Sequence, residues 1–397
     1  MKQCVLLTGA SGFLGRELLT QLLTETTADV VCLVRAGDAA TAQQRVRGIL
    51  EQLFGHSGWT AARERVIAIR GDVARPDVGL DRRSRELVIS RSTHIIHGAA
   101  SVRFDLPLAE ARRINVLGTT AMLDLAVTAA QRGRLQRFGY VSTAFVGGAH
   151  PHVFGEDDLD VGQRFRNTYE RSKFEAELMV HGYMHHVPIT VLRPSIVVGH
   201  SQSGATSAFN VIYWPLRVFA DGMLRYAPAS ADLPVDLVPV DFVARGVLQA
   251  VLEGEPGQTY ALAAGRRATQ ARFIGELAAR AFATAPPRFV TSRIERLAVP
   301  VVAPALLAVG PWRRFGRAIA QYLPYFQNGS RFDTTHADAL LEPHGITAPP
   351  VQRFLEPVLS FARATDFGRD RVAIAARERR LARTRARALR RAAACLR

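Results

Sequence analysis

The sequence predicts an α/β protein built on a doubly wound parallel sheet, with a smaller, mostly helical C-terminal region. Three observations support this fold class. An apolar run of strand length, from Cys4 to Thr8, leads directly into a cluster of glycines. Leucines then recur at helical spacing from Leu14 to Leu23. Further strand-length apolar runs follow along the first 265 residues, separated by helical patterns.

The glycines after the first predicted strand have the spacing G-x-x-G-x-x-G, which in this strand–turn–helix context predicts a dinucleotide site. Gly9 allows the tight turn, Gly12 lets the backbone approach a pyrophosphate, and Gly15 lets helix and strand pack closely. The helix N-terminus adds free N–H groups and a partial positive charge. The remaining residues predicted to contact the cofactor in this turn are Thr8, Ser11, Phe13 and Leu14.

The second predicted strand, residues 30–34, ends at Arg35. Sites that prefer NAD usually offer an acidic residue here to the ribose hydroxyls, whereas an arginine pairs with a 2′-phosphate. We therefore expect NADPH, with Arg45 on the following helix as a second phosphate partner. The alternatives are an ordinary exposed charge at Arg35 and a solvated surface arginine at Arg45.

The third predicted strand covers residues 66–73, and Asp72 lies at its carboxyl end. We place Asp72 and the adjacent Val73 in the cofactor site. From its position alone, the Asp72 carboxylate either binds the adenine amino group or caps the next turn.

The fourth predicted strand, residues 94–101, runs into Ala99 and Ala100. Small side chains at this sheet edge would let a cofactor lie against it. His97 is predicted to be a packed residue, not a catalyst. In the helix predicted over residues 107–132, Asn115 is expected either to order a water or backbone carbonyl near the site or to satisfy a helix irregularity.

The fifth predicted strand, residues 138–146, carries the hydroxyl of Thr143, and a Tyr-x-x-x-Lys pattern follows at Tyr169 and Lys173. Residues four apart share one face of a helix. Because a tyrosine ionises near pH ~10, an adjacent ammonium is expected to lower its pKa toward useful acid strength. We predict that Thr143, Tyr169 and Lys173 are catalytic, with Tyr169 and Lys173 also contacting the cofactor.

With these motifs in chain order, the sequence resembles an extended short-chain dehydrogenase/reductase of the fatty acyl-CoA reductase and thioester reductase branch, which has a male-sterility-type NAD-binding domain. The resemblance spans roughly residues 1–200, with weaker support to about 265. Besides Tyr169 and Lys173, it rests on Thr8-Gly9-Ala10-Ser11-Gly12-Phe13-Leu14-Gly15, His97-Gly98-Ala99-Ala100-Ser101-Val102-Arg103-Phe104-Asp105, Ile114-Asn115-Val116-Leu117-Gly118-Thr119, Val141-Ser142-Thr143-Ala144-Phe145-Val146 and Leu192-Arg193-Pro194-Ser195-Ile196-Val197.

The resemblance implies a Rossmann domain over residues 1–265, with a substrate-loop insertion at about 200–235. It implies NADPH-dependent reduction of a fatty acyl thioester, carried on coenzyme A or an acidic acyl carrier protein, to an aldehyde or onward to the alcohol. The loop 200–204 would bind the thioester or acyl group. The family pattern adds three residues to the cofactor site, Pro194, Ser195 and Ile196.

The C-terminal third is expected to form a substrate-side helical region over residues 266–370. Within it, residues 297–310 carry no charge but are too short to span a membrane. They are interpreted as a buried packed segment or as an apolar lid, and residues 297–317 as a possible peripheral membrane contact.

A basic tail, residues 371–397, ends the chain. Residues 377–397 contain nine arginines and one glutamate, so that half of the net charge of +16 lies there. This stretch favours helix and is expected to be a solvated or disordered tail, or a surface that attracts anionic lipid or an acidic carrier protein. Nucleic acid is an unlikely partner because no reader motif accompanies the arginines.

The three cysteines do not form a disulfide framework, and Cys4 and Cys32 are expected to be small buried side chains. No charged-then-apolar leader is visible, so a cytoplasmic location is expected, with peripheral attachment to a membrane as the alternative. No metal-ligand spacing occurs among histidines, cysteines and carboxylates.

Three other functions are considered. A hydroxysteroid or isoprenoid dehydrogenase of the same superfamily would also suit an apolar substrate. A sugar-nucleotide epimerase recycles tightly held NAD, which does not suit Arg35. An NADPH-binding sensor or scaffold commonly lacks the tyrosine or the lysine, and both are present here.

Overall fold

The computed structural model describes residues 2–223, 225–290, 325 and 329–394. Its strands, in chain order, are β1 (Cys4–Thr8), β2 (Asp29–Val34), β3 (Val66–Arg70), β4 (His94–His97), β5 (Arg137–Val141), β6 (Val153–Phe154), β7 (Ile189–Leu192), β8 (Ile196–Val198), β9 (Tyr226–Ala227), β10 (Pro234–Val235), β11 (Leu237–Pro239), β12 (Thr259–Tyr260), β13 (Thr269–Gln270), β14 (Arg288–Phe289) and β15 (Arg331–Phe332).

The helices within the described ranges are α1 (Phe13–Glu25), α2 (Ala39–Ala62), α3 (Arg82–Arg91), α4 (Leu108–Arg112), α5 (Gly118–Gln131), α6 (Thr168–Tyr183), α7 (Tyr213–Ala220), α8 (Val240–Glu253), α9 (Ala271–Phe282), α10 (Thr335–Leu341), α11 (Val351–Ala364) and α12 (Arg371–Ala394).

Seven of these strands form one parallel sheet in the order β3-β2-β1-β4-β5-β7-β12. From β1 the chain adds β2 and β3 on one side of that strand. It then crosses back and adds β4 on the other side of β1. This reversal opens a crevice at the carboxyl ends of β1 and β4, which is where doubly wound sheets bind ligands. The predicted fold class, with a helical C-terminal region, is confirmed.

Side chains of β1 alternate between two apolar layers. Val5 and Leu7 face α1, α2 and α8, whereas Leu6 faces α5 and α6. A strand that is buried on both faces has a continuous apolar sequence. For this reason β1 was recognisable in the sequence. Cys4 and Cys32 are buried within these layers and are free thiols, as expected.

Three predicted strands end earlier than expected. β3 ends at Arg70, β4 at His97 and β5 at Val141. Loops follow the first two strands, and a short loop leading into a 3₁₀ turn, Ala144–Gly147, follows β5. The apolar and small residues of these loops resemble strand in sequence. They leave the sheet at its carboxyl edge, where they border the crevice.

The helix predicted over residues 107–132 contains a π-helical turn, Arg113–Leu117, between α4 and α5. This turn directs the Asn115 side chain inward. Its Oδ1 accepts a hydrogen bond from the Ser101 N–H at 2.8 Å, and its Nδ2 donates to the Ser101 carbonyl and to the Ser172 hydroxyl. Asn115 therefore belongs to a helix irregularity and also holds the loop after β4 against α6.

A separate apolar cluster in the C-terminal region joins α7, α9 and α11. On α11, Phe354, Leu355, Val358 and Leu359 are all buried. This cluster supports the short strand pair β8–β11, which continues the chain beyond β7. The predicted apolar segment 297–310 and its flank to 317 lie outside the described residues.

The basic tail forms α12, which packs against α1 and α2. Ala382, Ala386 and Leu389 are buried in this contact, and Arg385 Nη2 lies 2.9 Å from Glu17 Oε2 on α1. The predicted helix is therefore present. Disorder, one of the expectations for residues 377–397, is wrong for residues 377–394, which pack on the domain through one face of the helix and expose arginines on the other. Among the described residues, no helix combines the length and apolar character needed to cross a membrane.

Truncating Leu389 to alanine should lower the free energy of unfolding by about 2–4 kcal/mol, because a buried leucine leaves a cavity when it is shortened. Urea denaturation followed by circular dichroism measures this change. Val372→Ala on the same helix is the control, since Val372 is 78% exposed and its truncation should be nearly neutral. Equal midpoints for the two variants would contradict the packing of α12.

Candidate active site

The first turn brings backbone atoms closer together than a side chain would permit. Gly9 has a φ of +79°, and a Cβ there would lie 2.8 Å from the carbonyl atoms of Gly98. A Cβ at Gly15 would lie 2.0 Å from the Gly9 oxygen. Gly12 N–H donates to the same oxygen at 2.8 Å. Glycines are therefore needed here to bring β1, the loop after β4 and α1 together.

The N-terminus of α1 is open to an anion. Its capping position, Gly12, offers no side-chain hydrogen bond, and the first turn contains no acidic residue. Ser11 and Gly12 are exposed, while Phe13 and Leu14 are partly buried. Uncapped amides at a helix N-terminus attract phosphate oxygens. The turn thus fits the pyrophosphate of a dinucleotide.

The opposite wall of the crevice is the loop after β4. The Ala99 N–H donates to the Thr8 hydroxyl at 3.1 Å, so the predicted residue Thr8 joins the two crevice walls. Ala99 and Ala100 are partly buried and have only methyl side chains. They leave the carboxyl edge of the sheet open to a flat ligand, which fits the predicted cofactor.

Arg35 lies exposed at the end of β2, as expected for a phosphate contact. The Arg45 guanidinium donates to the Arg35 carbonyl at 3.1 Å. A third arginine, Arg70, donates to the Gly37 carbonyl of the same loop at 3.3 Å. Sequence reasoning missed Arg70 because only the pairing of Val34 with Arg70 across β2 and β3 places it there.

The Asp72 side chain caps the turn after β3, which was one of its two predicted roles. Its Oδ1 accepts a hydrogen bond from the Ala74 N–H at 3.0 Å. Val73 is buried beside Gly118, at the start of α5. Both residues follow the carboxyl end of β3. Their place in the cofactor site, and the binding of adenine by Asp72, stay predictions.

The predicted residues Pro194, Ser195 and Ile196 follow β7. The Pro194 carbonyl accepts hydrogen bonds from the Thr143 hydroxyl at 3.4 Å and the Ala144 N–H at 2.9 Å. The Ser195 hydroxyl donates to the buried carboxylate of Asp236.

Asp236 was missed because it lies 41 residues from Ser195 in the chain. Its carboxylate also accepts the N–H groups of Ala264 and Gly265 at 2.8 and 3.0 Å. Burial raises its pKa, and these hydrogen bonds oppose that shift. Asp236 thus fixes the segment after β7 to the segment after β12.

Thr143, Tyr169 and Lys173 lie together at the carboxyl end of β5. The Tyr169 ring stacks on Phe104 with centroids 5.6 Å apart, and the Thr143 side chain lies close enough to the Tyr169 hydroxyl to affect its pKa. The Lys173 Nζ donates to the Tyr140 hydroxyl at 2.7 Å and to the Val141 carbonyl at 2.9 Å. The three predicted residues therefore share one location, beside the crevice.

The ionisation of this group differs from the expectation. Burial raises the pKa of Tyr169 to about 12, although the Thr143 hydrogen bond opposes the shift. Burial lowers the pKa of Lys173 to about 7, opposed by the Glu177 carboxylate. The predicted lowering of the Tyr169 pKa by Lys173 is therefore wrong for this structure, because Lys173 is bonded to Tyr140 instead. At neutral pH the Tyr169 phenol is protonated and can donate a proton.

His97 is buried, as predicted for a packed residue. Its Nδ1 lies 2.8 Å from the Thr8 hydroxyl, and its Nε2 lies 3.3 Å from the Thr119 hydroxyl. Burial, with a contribution from Lys173, lowers its pKa to about 3. The imidazole is therefore neutral at any ordinary pH.

A buried ion pair holds α6 to the end of β7. The Arg193 Nε and Nη2 donate to Glu177 Oε1 at 2.9 and 2.6 Å, and the Ser142 hydroxyl donates to Glu177 Oε2. Burial alone would raise the pKa of Glu177, but Arg193, His181 and Ser142 together lower it to about 2. This pair orients the helix that carries Tyr169 and Lys173.

An apolar cavity is lined in part by Phe145, Ile196 and Tyr325. The Tyr325 ring stacks on Phe104, which in turn stacks on Tyr169. The Tyr325 hydroxyl donates to Glu170 Oε1 at 2.6 Å and accepts from Asn167 Nδ2 at 2.7 Å. Tyr325 has no local sequence signal, because it lies 155 residues from Glu170. The other described lining residues are Val211, Ile212, Pro215, Leu233, Pro234, Val235, Asp236, Gly329, Ser330 and Phe332.

The loop 200–204 does not line this cavity. The Ser201 N–H and hydroxyl donate to the Asp241 carboxylate at 2.7 and 2.6 Å. Gly204 packs directly against the Pro357 carbonyl of α11, where a Cβ would lie 2.0 Å from the oxygen. His200 instead borders a second cleft, between α1 and α12. Acyl binding by this loop stays a prediction.

The described residues contain no group of three or more histidine, cysteine, aspartate or glutamate side chains that could hold a metal ion.

Comparison with known proteins gives one family and several relatives. The sequence model of the male sterility protein family, an NAD-binding domain, matches residues 7–247. The nonribosomal peptide synthetase asaC of Aspergillus flavus is 32% identical over 256 residues, covering 62% of this chain and 24% of that protein. Fatty acyl-CoA reductase 1 of Mus musculus is 31% identical over 280 residues, covering 62% of this chain and 54% of that protein.

Among solved structures, the terminal R domain of the myxalamid PKS-NRPS biosynthetic pathway superposes with a TM-score of 0.76 at 26% identity. It covers 92% of this chain and 92% of that domain. The chain thus spans a quarter to about half of the length of the two curated relatives, and nearly the whole of the R domain.

Replacing Glu177 with glutamine should lower the free energy of unfolding at neutral pH by about 3 kcal/mol, because Arg193 is left buried without a counter-charge. Glu175→Gln on the same helix is the control. Glu175 pairs with exposed Arg112 and Arg171, and such surface pairs contribute about 1 kcal/mol or less.

The pH dependence gives a second check on the same variant. Because the folded-state pKa of Glu177 lies below its ordinary value, its stabilisation is fully present above that ordinary value and is lost as the pH falls toward about 2. In urea titrations at a series of pH values, the free energy of unfolding of the Glu177→Gln protein should therefore fall less on acidification than that of the parent protein. Parallel curves of this free energy against pH would contradict the lowered pKa of Glu177.

Proposed function

Because the chain belongs to the male sterility protein family of NAD-binding domains, we propose that it is an NADPH-dependent reductase of acyl thioesters. The observation that carries the proposal is the protonated Tyr169 phenol beside Thr143, which is linked to an apolar cavity through the stacked rings of Phe104 and Tyr325. A proton donor in that position can serve a carbonyl whose acyl chain occupies the cavity.

The cofactor would be held mainly by backbone and by small side chains. The turn Gly9–Gly15 would take the pyrophosphate, and Ala99 and Ala100 would border the cofactor at the sheet edge. NADPH is favoured over NADH because Arg35, Arg45 and Arg70 converge on the loop after β2. Arginines are well suited to a phosphate group, whereas an NAD site at this position usually has an acidic residue.

When bound, NADPH supplies a hydride to the thioester carbonyl carbon. The residues of this chain supply the rest of the chemistry. Tyr169 donates its phenolic proton to the carbonyl oxygen as negative charge develops there, and Thr143 holds that oxygen by a hydrogen bond. Lys173 holds the ribose at the edge of β5. Collapse of the resulting hemithioacetal releases the thiol and leaves an aldehyde, which a second reduction would convert to the alcohol.

The cavity favours an apolar acyl group as the substrate. Its described lining is aliphatic or aromatic apart from Asp236 and Ser330, and the Asp236 carboxylate is already hydrogen-bonded. The related proteins named above include a fatty acyl-CoA reductase and a peptide synthetase. Their names suggest two carriers for the thioester, coenzyme A and a carrier protein.

The surface of α12 favours an acidic carrier protein over a membrane as the partner. The large apolar side chain Leu389 is buried against the domain, and the exposed valine of this helix, Val372, lies at its start, away from most of the arginines. An anionic protein surface matches that face by charge alone. Its exposed arginines are Arg379, Arg380, Arg383, Arg387, Arg390 and Arg391.

The experiment that tests the function is an assay of the purified protein with NADPH and a series of acyl thioesters on coenzyme A and on a carrier protein, with mass spectrometry of the products. We expect NADPH consumption with aldehyde or alcohol formation. Tyr169→Phe should slow the reaction by about two to four powers of ten, because the acid is removed, and should keep its affinity for NADPH.

Tyr183→Phe is the matched control, since Tyr183 lies on the same helix and its hydroxyl bonds Asp124 at the surface. An unimpaired Tyr169→Phe protein would remove this residue from the mechanism. Oxidation of NADPH by a ketosteroid, but by no thioester, would favour the hydroxysteroid alternative. Binding of NADPH with no turnover on any carbonyl compound would favour the sensor alternative.

Cofactor choice gives a separate prediction. Arg35→Ala should weaken NADPH binding about tenfold to a hundredfold and leave NADH binding nearly unchanged, because a charge-assisted contact to the 2′-phosphate contributes about 1.5–3 kcal/mol. Isothermal titration with each cofactor measures this. Arg47→Ala on α2 is the control, since Arg47 pairs with Glu51. An equal loss for both cofactors would contradict a 2′-phosphate contact.

A further inference from the structure

Tyr140 on β5 is a buried residue to which the mechanism above assigns no role. Its hydroxyl lies 2.7 Å from the Lys173 Nζ, and the same nitrogen lies 4.2 Å from the centroid of its ring. Both the oxygen and the π face of Tyr140 therefore contact the ammonium group. Lys173 is itself buried, so this contact is shielded from water.

A chain of hydrogen bonds continues from Tyr140 away from the lysine. The side chains of Thr119 and Ser142 lie close enough to the Tyr140 hydroxyl to oppose the rise that burial causes in its pKa. The Thr119 hydroxyl donates to the Asn115 carbonyl at 2.6 Å. The Thr119 oxygen also lies 3.3 Å from the His97 Nε2. At the other side of the ring, the His97 Nδ1 lies 2.8 Å from the Thr8 hydroxyl.

The donor and the acceptor in each contact can be assigned by starting from the backbone groups, which can act in only one way. Since the Thr119 proton goes to a carbonyl, its oxygen accepts from a protonated His97 Nε2 and is an available acceptor for the neighbouring Tyr140 O–H. The Tyr140 oxygen then has only acceptor capacity left for Lys173. Neutral His97 accepts the Thr8 proton at Nδ1, and Thr8 accepts the Ala99 N–H. Each bond in the chain has one donor and one acceptor.

We infer that Tyr140 is a positioning residue for Lys173, and that the chain through Thr119 and His97 connects this lysine to the turn that holds the cofactor pyrophosphate. Thr8, at one end, immediately precedes Gly9; Lys173, at the other, faces the ribose. The inference depends on the proposed function only in assigning the cofactor to this crevice. It does not depend on which carbonyl is reduced.

The effect on ionisation has a definite sign. Lys173 is faced by Glu177 from its own helix, by Tyr140 from β5 and by His97 from β4. His97 is neutral, and neither it nor Glu177 changes when the Tyr140 hydroxyl is removed. Loss of an oxygen that accepts from the ammonium must lower the pKa of Lys173 below its present value of about 7.

The test is Tyr140→Phe, assayed by NADPH binding in the absence of substrate across a pH series. At the pH of tightest binding we expect the dissociation constant for NADPH to rise about fivefold to tenfold, because roughly one hydrogen bond to the Lys173 ammonium is lost. The weakening of binding on the alkaline side should also begin at a lower pH than in the parent protein.

Tyr260→Phe is the matched control. Tyr260 is also buried in the sheet, and its hydroxyl accepts the Glu255 N–H, away from Lys173. Tyr140→Phe with the parent's dissociation constant and pH curve would overturn the inference. So would an equal change in the Tyr260→Phe protein.

A second pair of variants covers the case in which Tyr140→Phe does not fold. Thr119→Val removes the acceptor that fixes the Tyr140 proton, whereas Thr119→Ser keeps it. We expect Thr119→Val to weaken NADPH binding about twofold to threefold with the same pH shift, and Thr119→Ser to restore the parent values. Identical curves for the valine and serine variants would overturn the connection. Tight NADPH binding without thioester reduction would count against the proposed function alone.

Discussion

The buried pair between Glu177 and Arg193 is the interaction on which the candidate site depends. Arg193 is almost completely buried and also donates to the carbonyls of Gly155, Glu156 and Asp158, so it connects three parts of the chain. Glu177 lies one turn beyond Lys173 on α6. Because a buried charge needs its partner, α6 cannot rotate or slide relative to β7 without a large loss of stability. The positions of Tyr169 and Lys173 relative to the sheet follow from this constraint.

The same dry environment sets the ionisation of the candidate catalytic groups in opposite directions. Burial disfavours charge, so it raises the pKa of Tyr169, lowers that of Lys173 and keeps His97 neutral. Tyr169 is then a proton donor by default and does not need an ammonium to make it one before the cofactor binds. The Glu177 carboxylate favours the charged form of Lys173, whose Nζ donates to the Tyr140 hydroxyl and the Val141 carbonyl.

Sequence reasoning succeeded where the signal is local. The first strand, its glycine turn and the Tyr-x-x-x-Lys spacing are each encoded within a dozen residues, and the structure has the turn and helix expected there. It failed where a role depends on residues distant in the chain. Arg70 reaches the β2 loop through strand pairing, Asp236 holds Ser195, and Tyr140 meets Lys173 across a helix–sheet interface. None of these has a spacing signature. Strand ends were also overestimated, because small and apolar residues that line a crevice resemble those of a strand.

Under the proposed function, recognition of the cofactor is separate from recognition of the acyl group and of its carrier. Backbone amides and small residues from the first hundred positions form the crevice. The cavity is formed instead by residues between positions 145 and 236, with Tyr325 and residues 329, 330 and 332, and the side chains are mostly apolar. A cavity of this kind can bind an acyl chain but has little with which to bind the phosphates or acidic residues of a carrier. Those charges must be recognised outside it, on a surface whose basic groups remain exposed, and the outer face of α12 has that character.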